Sequence, residues 1–194
     1  MPEDAQTPPP PALIRALIRG LDACTEGLGR TVAWLAPVMV GITCAVVLLR
    51  YGLGQGSVAL QESVTYMHAA LFMLGAGYAL KHHKQVRVDI LYRRFSPEAR
   101  AWVDALGSLV FLIPLALFIG WISQDFVRSA WRIREVSADS GGLPWVYLLK
   151  SLIPLLAASL LLQAVAEVLR NLLRLMGYAA PDGTTADESG EEEC

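Results

Sequence analysis

The stretch Thr31–Leu49 reads TVAWLAPVMVGITCAVVLL and contains no Asp, Glu, Lys or Arg. A helix needs about 20 apolar residues to cross the hydrocarbon layer of a bilayer, and only helices and closed barrels satisfy their backbone groups there. Three more apolar stretches follow, and Lys150 is the only charged residue in them. They are Ser63–Leu80, Ala105–Gln124 and Leu143–Ala166. The pattern predicts an all-α integral membrane protein with four transmembrane helices.

The composition supports a single membrane domain over residues 12–178. Hydrophobic residues make up 54% and charged residues 18% of the chain, and both values differ from the soluble average in the membrane direction. The spans are expected at about 31–50, 62–80, 100–124 and 144–168. Residues 1–11 are a proline-rich lead and residues 179–194 an acidic tail, and both compositions are typical of disorder.

Lys and Arg are unevenly distributed among the predicted loops. Eleven of the 16 lie before the first span, between spans two and three, or after span four. Four lie on the opposite side, at Arg50, Arg128, Arg132 and Arg134. The positive-inside rule therefore places both termini and the middle loop in the cytoplasm. The net charge of −2 gives no basic face for a nucleic acid.

A separate amphipathic helix is predicted ahead of the first span, within Pro11–Arg30. Its leucines and isoleucines recur at helical spacing, and arginines occupy other positions of the same wheel. Such a helix is expected to lie flat at the membrane surface with its apolar side toward the lipid. Gly27 and Gly29 would let the chain turn from this helix into the first span.

The third span begins with a recognisable helix start, Ser96-Pro97-Glu98. Serine can cap the helix, proline suits the first turn, and glutamate complements the positive end of the helix dipole. A helix from Pro97 to Gln124 would measure about 42 Å, more than the ~30 Å apolar layer. It should therefore tilt or project past the lipid. Pro114 in its middle removes a backbone hydrogen bond and predicts a kink.

Two charged residues lie near the outer ends of predicted spans. Glu62 opens span two, and Lys150 lies about one and a half turns into span four. Charges in this position are costly and are usually placed for a reason. Two interpretations are open. The residues can pair across the bundle, or Glu62 can stabilise its own helix start while Lys150 extends to the membrane surface.

Small residues mark two further places. Gly75 and Gly77 in span two give a face on which a helix backbone can approach closely, inside the chain or in another subunit. Gly141, Gly142 and Pro144 form a turn sequence that would shape an outer loop.

The sequence holds little that suggests catalysis. His68 is the only histidine in the predicted spans, and His82 and His83 lie in the basic loop. A two-histidine haem site between spans therefore has weak support. No metal-ligand spacing, Ser/His/Asp grouping or phosphate-binding motif is present. We predict that the chain is not an enzyme and carries no cofactor or metal.

An ordered set of motifs resembles the small membrane subunit of tripartite ATP-independent periplasmic (TRAP) transporters. Glu62 precedes FMLGAGYALK at Phe72–Lys81, and VRVDIL follows at Val86–Leu91. The later segment Glu135–Trp145, together with Lys150, looks like one branch of the same family. The resemblance covers roughly residues 20–175.

The resemblance implies a division of labour among three components. A soluble periplasmic binding protein captures an organic acid, and a large membrane subunit moves it inward with a sodium gradient. This chain would be the small subunit, a non-catalytic scaffold in the bacterial inner membrane that contacts lipid and the large subunit. Glu62, Gly75, Gly77 and Lys150 are its expected bundle or subunit contacts.

Two loops have expected roles as well. Arg87 and Asp89 would shape the cytoplasmic loop. Gly141, Gly142 and Pro144 would shape the outer loop that could meet the binding protein.

Two other functions remain open at this stage. The chain could be a self-sufficient homodimeric transporter with its own site around Glu62 and His68. It could also be a membrane redox subunit that binds haem through His68, His82 or His83.

Overall fold

The computed structural model describes residues 10–82 and 96–178. This part of the chain is helical and contains no strand. Its helices are α1 (Ala12–Ala33), α2 (Leu35–Gly52), α3 (Val58–Lys81), α4 (Pro97–Gly107), α5 (Ile113–Ile133) and α6 (Val146–Leu175), and a π-helical turn, Ser108–Leu112, joins α4 to α5. The expected roles of Arg87, Asp89 and His83, most of the proline-rich lead and the acidic tail concern residues outside the described part.

Three helical stretches of the described chain are long and apolar enough to cross a membrane. They are Ala12–Gly52, Glu98–Ile133 and Val146–Leu175. These stretches contain the predicted first and third spans and most of the fourth. The predicted second span corresponds to α3, which has 24 residues and a length of about 36 Å. Polar residues such as Thr65 and His68 lower its mean hydropathy, and it is not among the three.

The first span is joined to the helix ahead of it with almost no interruption. The expected turn at Gly27 and Gly29 is wrong, because α1 continues through both glycines to Ala33. The break between α1 and α2 is the single residue Trp34. Its position has a physical cause: Pro37 has no N–H to donate to the carbonyl four residues earlier, and its ring crowds that carbonyl.

One face of α1 packs against α3 and α6. Its buried residues, spaced along one side of the helix, are Ile18, Thr25, Gly29 and Val32. A Cβ on Gly29 would overlap the ring of Tyr78 in α3. Gly29 therefore allows close contact between two helices rather than a turn of the chain.

The most enclosed helix is α6, which contacts α1, α3, α4 and α5. Nine of its residues are buried, whereas α2 has none. Small residues set the closest approaches. A Cβ on Gly77 of α3 would lie 3.2 Å from the backbone oxygen of Ser159, and one on Gly120 of α5 would lie 3.5 Å from Cβ of Ala157. This use of glycine and alanine is typical of helices that pack in membranes.

The predicted start of the third span is confirmed. Ser96 Oγ accepts a hydrogen bond from the N–H of Ala99 at 3.2 Å, and Pro97 is the first helical residue. The helical stretch continues beyond Gln124 to Ile133, and its 36 residues from Glu98 correspond to about 54 Å. This length exceeds the ~30 Å apolar layer by more than the sequence predicted.

The π turn shifts the buried seam of this long helix by one residue. Buried residues recur every seven positions in α5, at Ala116, Ser123 and Ala130. Ala101 is buried in α4 and precedes Ala116 by one residue more than two heptads. The wider turn at Ser108–Leu112 takes up that extra residue. It ends two residues before Pro114, the position at which the sequence predicts a kink.

The two glycines near the end of α3 provide a matched test of the α3–α6 contact. Replacing glycine with alanine favours a helix by about 1 kcal/mol at either position. Nothing lies within 4 Å of a Cβ on Gly75, so Gly75→Ala should preserve or raise thermal stability in detergent. Gly77→Ala must push against the Ser159 backbone, and we expect it to be about 1–2 kcal/mol less stable than Gly75→Ala. Equal stability of the two variants would contradict this close approach.

Candidate functional site: polar sites at the two ends of the bundle

Two polar sites connect the helices, one at each end of α3. The loop site, at the N-terminal end, comprises Glu62, Glu135, Ser137, Leu143 and Lys150. The α1 site, at the C-terminal end, comprises Asp22, Glu26, Lys81, His82, Glu167 and Arg170.

In the loop site, a carboxylate on α3 holds the loop between α5 and α6. Glu62 accepts hydrogen bonds from the hydroxyl of Ser137 and, at 2.6 Å, from the N–H of Leu143. The N–H of Ser137 also donates to the carbonyl of Leu143 at 3.1 Å, which closes the segment 137–143 on itself. Glu62 therefore fixes both ends of this closed loop with one side chain.

Gly141 and Gly142 of the loop each need to be glycine, for different geometric reasons. Gly141 has φ of +80°, a conformation that side chains disfavour. A Cβ on Gly142 would lie 2.5 Å from Ser137 Oγ and 2.7 Å from Glu62 Oε1, so a side chain there would displace the Glu62 contacts. Pro144 follows the closed segment and precedes Trp145, the N-cap residue of α6.

Lys150 is fixed at the same end of the bundle. Its Nζ lies 2.5 Å from Oε2 of Glu135 and 4.0 Å from the ring centroid of Phe126. Only 18% of the lysine side chain is exposed. This burial indicates a fixed ion pair between α6 and the loop that follows α5.

Glu62 and Lys150 thus bind the same loop through different residues and form no direct ion pair. Glu62 does not cap its own helix either, because Ser57 Oγ accepts the N–H of Leu60 at 3.4 Å. Both side chains were identified from the sequence. Their partners, Ser137 and Glu135, lie in the segment Glu135–Trp145, which contributed to the family resemblance but was assigned no contact with Glu62 or Lys150.

An aromatic contact supports the loop site from the side. The indole N–H of Trp131 donates to Ser151 Oγ at 2.8 Å, and its ring meets that of Tyr147 edge-on at 4.8 Å. The guanidinium of Arg134 lies 5.6 Å from the Trp131 ring and 5.4 Å from the Tyr147 ring. These contacts join the end of α5 to the start of α6.

The α1 site begins with a salt bridge between the first and last helices. Arg170 Nη2 donates to both carboxylate oxygens of Asp22, at 2.9 and 3.0 Å. Arg170 Nη1 also lies 3.5 Å from Glu167. The side chains of Arg170 and Asp22 are only 7% and 17% exposed. One guanidinium nitrogen thus serves both oxygens of Asp22, while the other faces Glu167, so the arginine contacts two carboxylates.

A second acidic residue attaches α1 to the end of α3. Glu26 accepts from Lys81 Nζ at 3.0 Å, and its carboxylate lies 2.9 Å from His82 Nε2 and 2.9 Å from Arg30 Nε. Lys81 also donates to the backbone carbonyl of Asp22 at 3.3 Å. Because Asp22 and Glu26 are four residues apart, both carboxylates lie on the face of α1 that meets the bundle.

Polar side chains continue along the buried face of α6. Gln163, Glu167 and Arg170 lie four and three residues apart, and all three are buried. Gln163 is fully buried, and neither polar atom of its side-chain amide has a hydrogen-bond partner within residues 10–82 and 96–178. Asn171 is 2% exposed, and its Nδ2 likewise has no partner in this part of the chain. The C-terminal half of α6 is therefore a polar element inside the bundle.

The remaining sequence candidates are not brought together. Gly77 packs on Ser159, whereas Gly75 faces open space. His68 is exposed on α3, and His82 belongs to the α1 site. Within residues 10–82 and 96–178, no group of three or more His, Cys, Asp or Glu residues is placed to hold a metal ion.

The ionic partners of α1 were not predicted from the sequence. Arg170 was counted only among the basic residues of a cytoplasmic end, and Asp22 and Glu26 were assigned no role. A signal was present: two acidic residues one turn apart on an otherwise apolar and basic helix need basic partners. The spacing could not say that one partner lies 148 residues away.

Apolar helices of membrane-spanning length, held together at both ends by internal ion pairs, define a multi-pass membrane protein. The family model for tripartite ATP-independent periplasmic transporters, DctQ component, matches residues 39–174. The chain therefore belongs to this family, the small membrane subunits of TRAP transporters, which confirms the resemblance found in the sequence. It is a multi-pass protein of the inner membrane whose family works with a large membrane subunit and a substrate-binding protein. Neither a curated protein nor a solved structure matches the chain.

Removing the carboxylate of Glu62 should release the closed loop. In Glu62→Ala, the Ser137 hydroxyl and the Leu143 N–H lose their acceptor, so the segment 137–143 should become more mobile. The measurement is the electron paramagnetic resonance line shape of a nitroxide at Ser140→Cys, with Cys24, Cys44 and Cys194 replaced by serine. Gln61→Ala, at the exposed neighbouring position, is the control and should leave the line shape unchanged. A rigid label in both variants would contradict the role of Glu62.

Two Asp–Arg pairs among the described residues, Asp22–Arg170 and Asp125–Arg128, allow a comparison of buried and exposed charges. Asp22→Asn weakens a buried pair and should lower the stability of the bundle by about 2 kcal/mol, because a buried guanidinium loses the carboxylate that accepts its Nη2 hydrogen bonds, while Glu167 remains beside Nη1. Asp125 is 98% exposed and lies 3.8 Å from Arg128, so Asp125→Asn should change stability by less than about 0.5 kcal/mol. Thermal unfolding in detergent measures both. A cost for Asp22→Asn no larger than that for Asp125→Asn would contradict the proposed attachment of α1.

Proposed function

We propose that this small TRAP subunit is a non-catalytic scaffold of a sodium-driven, binding-protein-dependent transporter of organic acids. In this proposal it stands beside the large subunit and enlarges the fixed part of the complex within the membrane. Substrate and sodium would be bound by the other two components.

One observation carries this proposal: the ionic contacts at the two ends are used to hold the chain's own helices together, and the surface between them is apolar. Several large hydrophobic side chains on this surface are more than 60% exposed, among them Val40, Leu48, Phe72, Phe111 and Phe118. A surface of this kind suits lipid tails and the apolar faces of partner helices. The paired carboxylates of the two sites are engaged in packing rather than arranged around a cavity.

We propose a single domain over residues 12–178 with four spans and both termini in the cytoplasm. α3 is the second span in this arrangement. It contacts α1, α2 and α6, so much of its surface faces protein. A helix that faces protein can span the membrane with a lower mean hydropathy than a helix surrounded by lipid. The basic residues that precede α2, and Arg170 and Arg174 near the C-terminal end of α6, support a cytoplasmic location for that end of the bundle.

The amphipathic α1 is proposed to lie at the cytoplasmic membrane surface. Besides its bundle face it has an exposed apolar stripe that includes Leu13 and Leu17, at 82% and 51% exposure. Arg19 and Arg30 are exposed on another side. A helix with a protein-facing side, an apolar side and a basic side fits the boundary between bundle, lipid and headgroups.

The loop between α5 and α6 is the proposed contact for the substrate-binding protein. The Glu62 contacts hold this loop in one shape, and residues at its tip, including Asp139 and Ser140, are exposed. A preformed loop binds with a smaller entropic cost than a flexible one.

Reconstituted transport tests the proposal. Liposomes would contain this chain alone, the large subunit alone, or both, with the binding protein and a radiolabelled organic acid outside. We expect sodium-dependent uptake only when both membrane subunits and the binding protein are present. In the complete system, Glu62→Ala should reduce uptake several-fold, mainly by raising the binding-protein concentration needed for half-maximal rate, whereas Gln61→Ala should not.

Three outcomes would contradict parts of the proposal. Uptake by this chain alone would show a self-sufficient transporter. Unchanged uptake when this chain is omitted would exclude a required scaffold. A haem absorption band in the purified protein would indicate a redox subunit.

A further inference from the structure

An open groove of about 640 Å³ lies between α5 and α6, on the outside of the bundle. Gly120 and Ala157 both line it, and a Cβ on Gly120 would lie 3.5 Å from Cβ of Ala157. Ala158 and the exposed Trp121 form parts of its walls. Because small residues line it, the groove is deep enough to take a slender apolar group.

The length of the groove matches one leaflet of a bilayer. It extends along α5 from Ala116 to Arg128, which is about 18 Å at the helical rise. Half of the ~30 Å hydrocarbon layer is about 15 Å. A partner helix that crosses the membrane would need a surface that continues through both leaflets. The observed length fits an acyl chain that enters from one side.

The end of the groove nearest the loop between α5 and α6 carries two opposite charges. Asp125 and Arg128 both line it and lie 3.8 Å apart, with side chains 98% and 69% exposed. An arginine can form paired hydrogen bonds with a phosphate, and a carboxylate accepts hydrogen bonds from a primary ammonium. The indole of Trp121, 84% exposed, suits the same interfacial depth. Together these groups complement a zwitterionic headgroup.

We propose that this groove binds one phosphatidylethanolamine molecule. Arg128 holds the phosphate, Asp125 holds the ammonium group, and one acyl chain lies between α5 and α6 above Gly120. The lipid thereby fills the open space beside the small-residue contact of Gly120 with Ala157. The site requires only that α5 and α6 span the membrane, and it holds for either orientation of the chain.

Native mass spectrometry of the full chain, co-purified with the large subunit, tests the site. The probes are phosphatidylethanolamine, phosphatidylcholine and phosphatidylglycerol of identical acyl composition, each added to delipidated complex. We expect one tightly retained phosphatidylethanolamine that Ala158→Phe removes by filling the groove. Arg128→Gln should weaken its retention several-fold. Asp125→Asn should abolish the preference over phosphatidylcholine, because the quaternary ammonium of that lipid cannot donate hydrogen bonds.

Matched variants outside the groove are the controls. Arg132→Gln removes an exposed charge one turn away on α5, and Leu155→Phe adds bulk at an exposed position of α6 that does not line the groove. Both should retain the lipid like the unaltered chain. The proposal would be overturned by equal retention of all three lipids, or by no effect of Ala158→Phe and Arg128→Gln. It would also be overturned if no lipid is retained and Ala158→Phe instead releases the large subunit, which would make a partner helix the occupant.

Discussion

The salt bridge between Asp22 and Arg170 determines how this bundle closes. A buried guanidinium is costly in a low-dielectric interior unless a carboxylate compensates it, and here that carboxylate comes from the opposite end of the chain. The requirement brings α1 against α6, and Glu26 then attaches the same helix to the end of α3. α1 precedes the region that matches the family model, yet it shares a polar core with that region. It is therefore part of the fold and not an appendage to it.

The loop site applies the same physical rule at the other end of the bundle. Glu62 and Lys150 lie where charges are expensive, and each is satisfied by a group in the loop between α5 and α6. The loop in turn adopts a closed shape that its glycines permit. Between the two ends, α3 and α5 approach α6 closely, at Gly77 beside Ser159 and at Gly120 beside Ala157. The result is a frame whose polar groups are used at its ends and whose sides are apolar, as a scaffold in a membrane requires.

Sequence patterns predicted the helical class and the capped start of the third span. These are local properties: an apolar run or a Ser-Pro-Glu start depends on neighbours within one or two turns. Glu62 and Lys150 were also found, because a charge inside an apolar run is visible in the sequence. Their partners were not, since helical spacing shows which residues share a face but not which helix lies opposite. The break at Trp34 was misplaced for a related reason: two glycines suggested flexibility, but packing against Tyr78 kept that part helical and left Pro37 to interrupt the chain.

The π turn at Ser108–Leu112 has an evolutionary consequence. An extra residue is accommodated there without rotating the α5 seam of Ala116 and Ser123 away from α6. Deleting one residue from this turn would convert it to ordinary α-helix, and the buried faces of α4 and α5 would still meet the same neighbour. Deleting one residue elsewhere in α5 would rotate the buried face of the rest of the helix by about 100°. Members of the family that differ in length by one residue in this helix are thus expected to carry the gap here.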